Sequence, residues 1–227
     1  MVQTAQGRFF VDPASNLGNA IVTQDAYESQ MLESLTSLLK DGDVFLDVGA
    51  NEGYFSIIAS KLVGPSGVVL SIEPQSRLQG VIFRNIAENV AFNIHPFQLA
   101  ISDSIGTATI SLLPDMNTGG SGLIVTTKYT VPTELVPQTT LQQFFHLLRI
   151  DRVKLMKIDV EGFEYEAILG SKELFASNFI ENIALELHPQ LLARRGKSEE
   201  EIIEFLRASG YEQDFNYRTL IMRKRLG

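Results

Sequence analysis

The chain predicts an α/β domain: a mostly parallel sheet with helices on both faces. Short, largely apolar runs recur along it, Val44–Val48 and Val68–Ile72 among them. Strands buried on both faces read that way, without alternation. Helix-period segments separate the runs, the pattern of βαβ units. Gly/Pro/Ser clusters such as Gly64-Pro65-Ser66-Gly67 punctuate the changes.

Taken in order, the chain opens on a short extended start and one helix. Tyr27, Met31, Leu35, Leu38 and Leu39 recur at helical spacing, and Lys40-Asp41-Gly42 ends that helix. Strand Val44–Val48, helix Tyr54–Leu62, strand Val68–Glu73, helix Arg77–Asn89 and strand Ile94–Ile101 follow. The middle is less regular. Thr107–Leu113 alternates, Pro114–Gly122 is a polar loop, Leu123–Thr127 suits a strand, and Thr140–Leu148 a helix capped by Thr139 or Thr140. The rhythm then returns: strand Val153–Ile158, helix Tyr165–Leu169, strand Ile183–Leu187, and helix Glu199–Ala208 between Ser198 and Gly210. Strands Tyr211–Asp214 and Thr219–Arg223 suit a terminal antiparallel hairpin. One domain, 1–227, is expected, with a helical leader (1–41) and an insertion (106–137) shaping an acceptor site.

Composition narrows the function. The 227 residues are 44% apolar, enough for a core without staples. There is no cysteine, which excludes disulfides, Cys-ligated zinc, iron–sulfur clusters and thiol nucleophiles. Lys and Arg number 19 against 27 Asp and Glu, a net charge of −8. That balance disfavours an electrostatic grip on nucleic acid or an anionic membrane. The mean hydropathy of +0.07 and the lack of a long apolar run suggest a protein without a membrane span. The start, MVQTAQGRFF, has no apolar segment behind a basic one, so a cytoplasmic location is expected.

Asp47-Val48-Gly49-Ala50-Asn51-Glu52-Gly53 falls between a strand and a helix, where glycine lets a ligand approach the backbone. Glu73 ends the next strand, twenty residues past Gly53, and a carboxylate there can accept both hydroxyls of a ribose. A dinucleotide fingerprint needs G-x-G-x-x-G. Here Gly49 is followed by Asn51 and Tyr54. Asp47 beside the loop is awkward for a diphosphate and favourable for a ligand carrying an amino group and a sulfonium. The combination points to S-adenosylmethionine.

DVGANEGYFS, IEPQ, LAISDSIGTATI and MKIDVEGFEYEAILG, in that order, make the chain resemble the FkbM-type methyltransferases from about Gly42 to His188. The resemblance implies a class I methyltransferase (Rossmann-like) three-layer sandwich with a seven-stranded sheet. It also implies methyl transfer from S-adenosylmethionine to oxygen, on a sugar or a secondary metabolite. Carried over, Asp47, Gly49, Ala50, Asn51 and Gly53 would surround the methionine part of the cofactor, with Asp159 also at the cofactor site. Glu73 would hold the ribose. Pro74 and Gln75 would line the adenine side, and Ser102 and Asp103 would reach the adenine amino group. Residue 163 departs from the pattern: Phe stands where many relatives carry a small residue, which bears on pocket shape.

Ligands of an open α/β sheet sit outside the carboxyl ends of its strands. Asp159 and Glu161, after one strand, and His188, after the next, are therefore the candidate catalytic residues. An alcohol acceptor must lose a proton, to a base or with the help of a metal. A neutral histidine titrates in the useful range. Asp159 and Glu161 offer oxygens to a divalent cation, although no clustered metal motif is present. Lys157 can neutralise an acid, while Glu164 and Glu166 read as acids favoured at a helix start. Asn117–Gly122 reads as a lid over substrate. Arg194-Arg195-Gly196-Lys197 and Arg223-Lys224-Arg225 read as solvated faces.

Two other functions are open. A nucleic-acid methyltransferase predicts a basic groove and an Asn/Asp-Pro-Pro-aromatic motif, and Asp159-Val160-Glu161-Gly162 stands in its place. A non-catalytic nucleoside-binding module would keep the loop and lose the polar rim. The expected partner is a small or glycosidic hydroxyl acceptor.

Overall fold

The computed structural model describes residues 1–24, 26–113 and 130–225. A hairpin of β1 (Val2–Gln3) and β2 (Arg8–Phe9) precedes α1 (Asn16–Gln24) and α2 (Ser29–Leu38). Then come β3 (Val44–Val48), α3 (Tyr54–Val63), β4 (Val68–Ile72), α4 (Ser76–Asn89) and β5 (Ile94–Phe97). Strands β6 (Ala100–Ile101), β7 (Gly106–Ser111) and β8 (Thr133–Thr139) lead into α5 (Leu141–Leu148). The last part holds β9 (Val153–Ile158), α6 (Glu164–Leu169), α7 (Lys172–Ala176), β10 (Ile180–Leu185), α8 (Pro189–Arg194), α9 (Glu199–Ala208), β11 (Tyr211–Gln213) and β12 (Leu220–Lys224).

The main sheet has seven strands in the order β11-β12-β10-β9-β3-β4-β5. Neighbours from β10 to β5 are parallel, and β12 runs antiparallel to both β10 and β11. The chain winds outward from β3 to β5, then returns to lay β9 on the other side of β3. The β3/β9 boundary is thus the point where the winding reverses, and a crevice opens there at the strands' carboxyl ends.

Alternation along the strands sorts two cores onto two faces. Leu46, Leu70, Met156, Ile183 and Met222 face α5, α6 and α9. Phe45, Val69, Leu155, Ala184 and Ile221 face α2, α3 and α4. Both faces are apolar, which is why the strands read as continuous runs. Thr140 caps α5 by accepting from the Gln143 N–H, and Ser198 caps α9 by accepting from Glu201. Gly210 follows α9 in the left-handed region, at φ 87°. Among the described residues no helix is long and apolar enough to cross a membrane.

Several elements differ from the sequence reading. The leader holds a hairpin and two helices rather than one helix. The strand expected over Ile94–Ile101 breaks after Phe97. β5 is an edge strand, where Pro96 costs no ladder bond, and Ala100–Ile101 crosses to a second sheet. That sheet, in the order β6-β8-β7, contains β8, which was not foreseen because Pro137 lies within it. β10 begins at Ile180, ahead of the expected Ile183, because Glu181 and Asn182 interrupt the apolar run. The Pro114–Gly122 loop, its proposed lid and the Leu123–Thr127 strand lie outside the described residues.

Candidate active site

After β3 the chain turns sharply. The N–H groups of Gly49 and Ala50 both donate to the carbonyl of Ile72, the last residue of β4. Gly49 (φ 85°) must be glycine, since a Cβ there would stand 1.8 Å from the Asp159 carbonyl oxygen. The strand ends at the β3/β9 boundary therefore approach each other closely. Asn51 (φ 52°) also adopts a left-handed conformation and aims its N–H at Glu73 Oε2, 2.9 Å away. The N–H of Gln75 donates to Glu73 Oε1 at 3.0 Å. Burial pushes the Glu73 carboxyl up to about 7, against these backbone hydrogen bonds.

A cavity runs across these strand ends. Val48, Gly49 and Asn51 line it from β3, and Ile72, Glu73, Pro74 and Gln75 from β4. Leu99, Ala100, Ile101 and Ile110 close one side, and Asp159, Val160, Glu161 and Phe163 line it from β9. Of the residues expected to hold a cofactor, Gly49, Asn51, Glu73, Pro74, Gln75 and Asp159 lie in this wall. Asp47, Ala50, Gly53, Ser102 and Asp103 do not.

Each exception has a physical reason. Asp47 points to the opposite face of the sheet and is fully buried; its Oδ2 accepts from Ser56 Oγ at 2.6 Å. Ala50 is buried within the turn, and Gly53 packs toward Ile82 at the start of α3. The crossing at Ala100 draws Ser102 toward β8, where its N–H donates to the Thr139 carbonyl. Asp103 is exposed beyond it. Ile110, on the second sheet, lines the cavity.

Lys157, on β9, is 2% exposed. It pairs across the ladder with Asp47 and sits 3.7 Å from Asp47 Oδ1 and 3.3 Å from Asp159 Oδ2. It also donates to the Gly49 carbonyl at 3.2 Å. Burial opposes the charge on its ammonium, but Asp159, Asp47, Glu28 and Glu186 outweigh that and hold it above the ordinary lysine range. Burial shifts Asp47 upward, with Lys157 and Ser56 opposing.

The three candidate catalytic residues converge. Asp159, Glu161 and His188 each bring one ligand-type atom to within 4.8 Å of the others. His188 Nδ1–H donates to Glu164 Oε1 at 2.8 Å, with Glu164 fully buried. That leaves Nε2 turned to Glu161 Oε2 at 3.5 Å and Asp159 Oδ1 at 3.8 Å. Burial works against charge on the imidazole, but the Glu164 hydrogen bond and the nearby carboxylates raise it to about 9. That shift favours the protonated imidazole at neutral pH. Burial raises the Glu161 carboxyl to about 7, with His188 opposing and Asp159 adding. Glu161 is left-handed, φ 50°, a conformation costing on the order of 1–3 kcal/mol in a non-glycine residue.

Glu164 and Glu166 do open α6, but both are buried and partnered, Glu166 by Arg195. The basic clusters are likewise engaged. Lys197 stands over the Tyr165 ring, Lys224 donates to the carbonyls of Phe175, Ala176 and Ser209, and Arg223 pairs with Asp214.

A second cavity lies between the start of α2 and the end of β10. Glu28, Met31, Leu185, Glu186, Leu187 and Leu220 are among its lining. The Glu186 N–H donates to the Ile158 carbonyl, so the ends of β9 and β10 stand side by side, the one lining the first cavity and the other the second. Burial raises Glu186 to about 7, and Asp159 and Glu28 add to the shift. Glu28, left-handed at φ 44°, carried no sequence signal.

The family model described as Methyltransferase FkbM domain matches residues 47–213. Methyltransferase sdnD of Sordaria araneosa is 27% identical over 164 residues, covering 60% of this chain and 62% of that protein. The match thus spans less than two thirds of the relative's length. Methyltransferase FkbM from Methylobacillus flagellatus KT aligns over 83% of this chain and 47% of that one, with TM-score 0.54 and 14% identity. A precorrin-6y C5,15-methyltransferase from Geobacter metallireducens GS-15 aligns over 91% and 78%, with TM-score 0.51 and 19% identity. These structures share the class I methyltransferase fold, with its reversed final strand. On fold, site and family match together, the chain belongs to the FkbM methyltransferase domain family.

Proposed function

We propose that this chain is an S-adenosylmethionine-dependent methyltransferase acting on a hydroxyl oxygen of a small or glycosidic acceptor. The observation that carries the reading is one cavity, lined by Glu73 from β4 and by Asp159 and Glu161 from β9, across the β3/β9 boundary. The residues present fit the cofactor. Glu73 keeps acceptor lone pairs free of its two backbone donors, as a ribose diol needs. Ile72, Pro74, Leu99, Ile101 and Ile110 offer an apolar slot for a purine. Asn51 Oδ1 is buried without a partner among the described residues, an open acceptor for an amino group. The carboxylates on the rim favour a cation.

When bound, S-adenosylmethionine supplies an electrophilic methyl group on its sulfonium. The chain's own residues supply positioning and a proton acceptor. Glu161, raised to about 7, is poised near neutral pH to take the acceptor's hydroxyl proton. The His188 imidazolium stands beside the Glu161 and Asp159 carboxylates, and Lys157 anchors Asp159. The second cavity is the acceptor's place, since Glu186 on its wall adjoins Asp159 on the wall of the first.

The spacing of Asp159, Glu161 and His188 also favours a second reading of the same step, in which they hold a divalent cation that acidifies the hydroxyl. Calorimetry with S-adenosylmethionine and S-adenosylhomocysteine tests the cofactor; no binding by folded protein would sink the proposal. Labelled methyl transfer into a metabolite extract tests catalysis, since binding without labelled product leaves only a nucleoside-binding module. Loss of that transfer on chelation, with recovery on adding Mg2+ or Mn2+, selects the cation over the direct base. Label in nucleic acid instead of small molecules would overturn the acceptor class.

A further inference from the structure

Helix α8 has a functional side chain at each end. His188, its N-cap, reaches Glu164. Arg195, its C-cap, reaches the same segment from the other end. Arg195 Nη1 donates to the Gly162 carbonyl at 2.8 Å and to Glu166 Oε2 at 2.7 Å. Its Nη2 donates to Glu166 Oε1 at 2.9 Å, completing a bidentate pair. The guanidinium carbon lies 3.9 Å from the centre of the Phe163 ring.

The turn that Arg195 grips is strained, and besides Arg195 it is held by the Gly162 N–H, which donates to Glu164 Oε1 at 3.0 Å. Glu161 and Gly162 have successive positive φ values, 50° and 90°. The backbone bond across it, from the Phe163 N–H to the Val160 carbonyl, is long at 3.3 Å. Yet Glu161 and Phe163 both line the cofactor cavity. Strained backbone of this kind persists where its surroundings over-determine it. Arg195 is placed to do that, because one planar group holds a carbonyl, a carboxylate and a ring at once.

We propose that Arg195 is a positioning residue for methyl transfer: its guanidinium fixes the Glu161–Phe163 turn, so that Phe163 closes the cofactor cavity and Glu161 stays aimed at the acceptor. The proposal rests on the methyl-transfer reading of the site. Lysine cannot replace this group, since an ammonium has neither the bidentate fork nor the flat face that stacks.

The test compares Arg195→Met, Arg195→Lys and Tyr211→Phe with the wild type. Tyr211→Phe deletes a buried hydrogen bond to the Ile180 carbonyl at the far end of the sheet, and so reports generic destabilisation. S-adenosylhomocysteine affinity is measured by calorimetry, melting temperature by calorimetric scan, and amide exchange across 160–163 by mass spectrometry. Arg195→Met is expected to weaken S-adenosylhomocysteine about tenfold and to speed exchange in the turn. Arg195→Lys should regain melting temperature without regaining affinity, and Tyr211→Phe should lose melting temperature with affinity unchanged. Wild-type affinity in Arg195→Met, or affinity restored by lysine, would overturn the positioning role alone. Failure of the wild type to bind either S-adenosyl compound would overturn the methyl-transfer reading, and this role with it.

Discussion

At the scale of single residues, the site is a contest between burial and charge. Glu161 is raised to about 7 by burial while His188 pulls it down. Glu161→Gln should therefore lower methyl transfer by about 10²–10⁴-fold, the usual worth of a general base. S-adenosylhomocysteine binding should stay close to wild type, because glutamine keeps the shape of the wall. Equal loss of binding and turnover would show Glu161 to be a cofactor ligand instead. His188→Gln removes the positive neighbour, so the Glu161 carboxyl should titrate above 7. Carbon-detected NMR of labelled glutamate would show it, and a downward shift would contradict the charge assigned to His188. Lys157 sits in the deepest contest. Lys157→Met leaves Asp47 and part of Asp159 without a cation, and breaking a buried pair costs about 3–5 kcal/mol. Urea unfolding should show that loss, with much of it recovered in Asp47→Asn/Lys157→Met. Asp159, Glu161 and His188 were legible because strand ends of a parallel sheet meet at one rim. The downward turn of Asp47 was not, because the choice of face depends on which side of β3 each residue packs. Nor was the inward grip of Arg195, since a short basic run reads as solvated until burial is known.

At the scale of elements, the leader belongs to the site's scaffold rather than standing beside it. Asn85 on α4 accepts from the Phe10 N–H at 2.6 Å and donates to the Phe10 carbonyl at 3.1 Å and the Glu52 carbonyl at 2.8 Å. The glycine loop is thereby tied to the chain's start. Ser15 Oγ adds a bond to the Glu52 carboxyl at 2.9 Å. Asn85→Ala strands these backbone groups in a buried place, which costs about 1–3 kcal/mol. Faster amide exchange at residues 8–11 should accompany the loss, and unchanged exchange there would show that the leader is held elsewhere. The central βαβ elements were legible because each buries apolar residues on both faces at close sequence range. The leader's hairpin, its first helix α1 and β8 were not. Their partners lie far away in sequence: Phe10 is held by Asn85, and β8 pairs with β6 and β7 across residues 100–139. Pro137 inside β8 further hid it, since proline argues against a strand unless a sheet partner excuses the missing donor.

At the scale of the whole molecule, the excess of acids sets the direction of its response to pH. Glu52, Glu73, Glu161 and Glu186 are each raised from 4.5 to about 7, with burial the leading cause. A carboxyl with a raised folded pKa keeps its proton in the folded state where the unfolded chain has already lost it. Its contribution to stability is present below the unfolded value of 4.5 and is lost as pH rises through about 7. His188 adds to the same trend at higher pH. It is raised from 6.5 to about 9, so its contribution is full below 6.5 and lost through about 9. No opposing shift operates in this window among these groups, so the free protein should be more stable to urea at pH 5 than at pH 8. That ordering is unlike the broad neutral optimum of proteins whose carboxylates are mostly salt-bridged. The unfolding midpoint in urea, measured at pH 5, 6.5 and 8 at fixed ionic strength, decides it. A midpoint that rises with pH would mean that these carboxyls are ionised and paired in the folded state. Glu73→Gln separates the site's share: it removes one of the four titrations, and the fall from pH 5 to pH 8 should shrink accordingly. The net charge of −8 then has a local meaning. Glu73, Asp159, Glu161 and Glu186 stand at the carboxyl ends of β4, β9 and β10, on one rim of the sheet, where a cationic ligand would relieve the repulsion that neutral pH imposes.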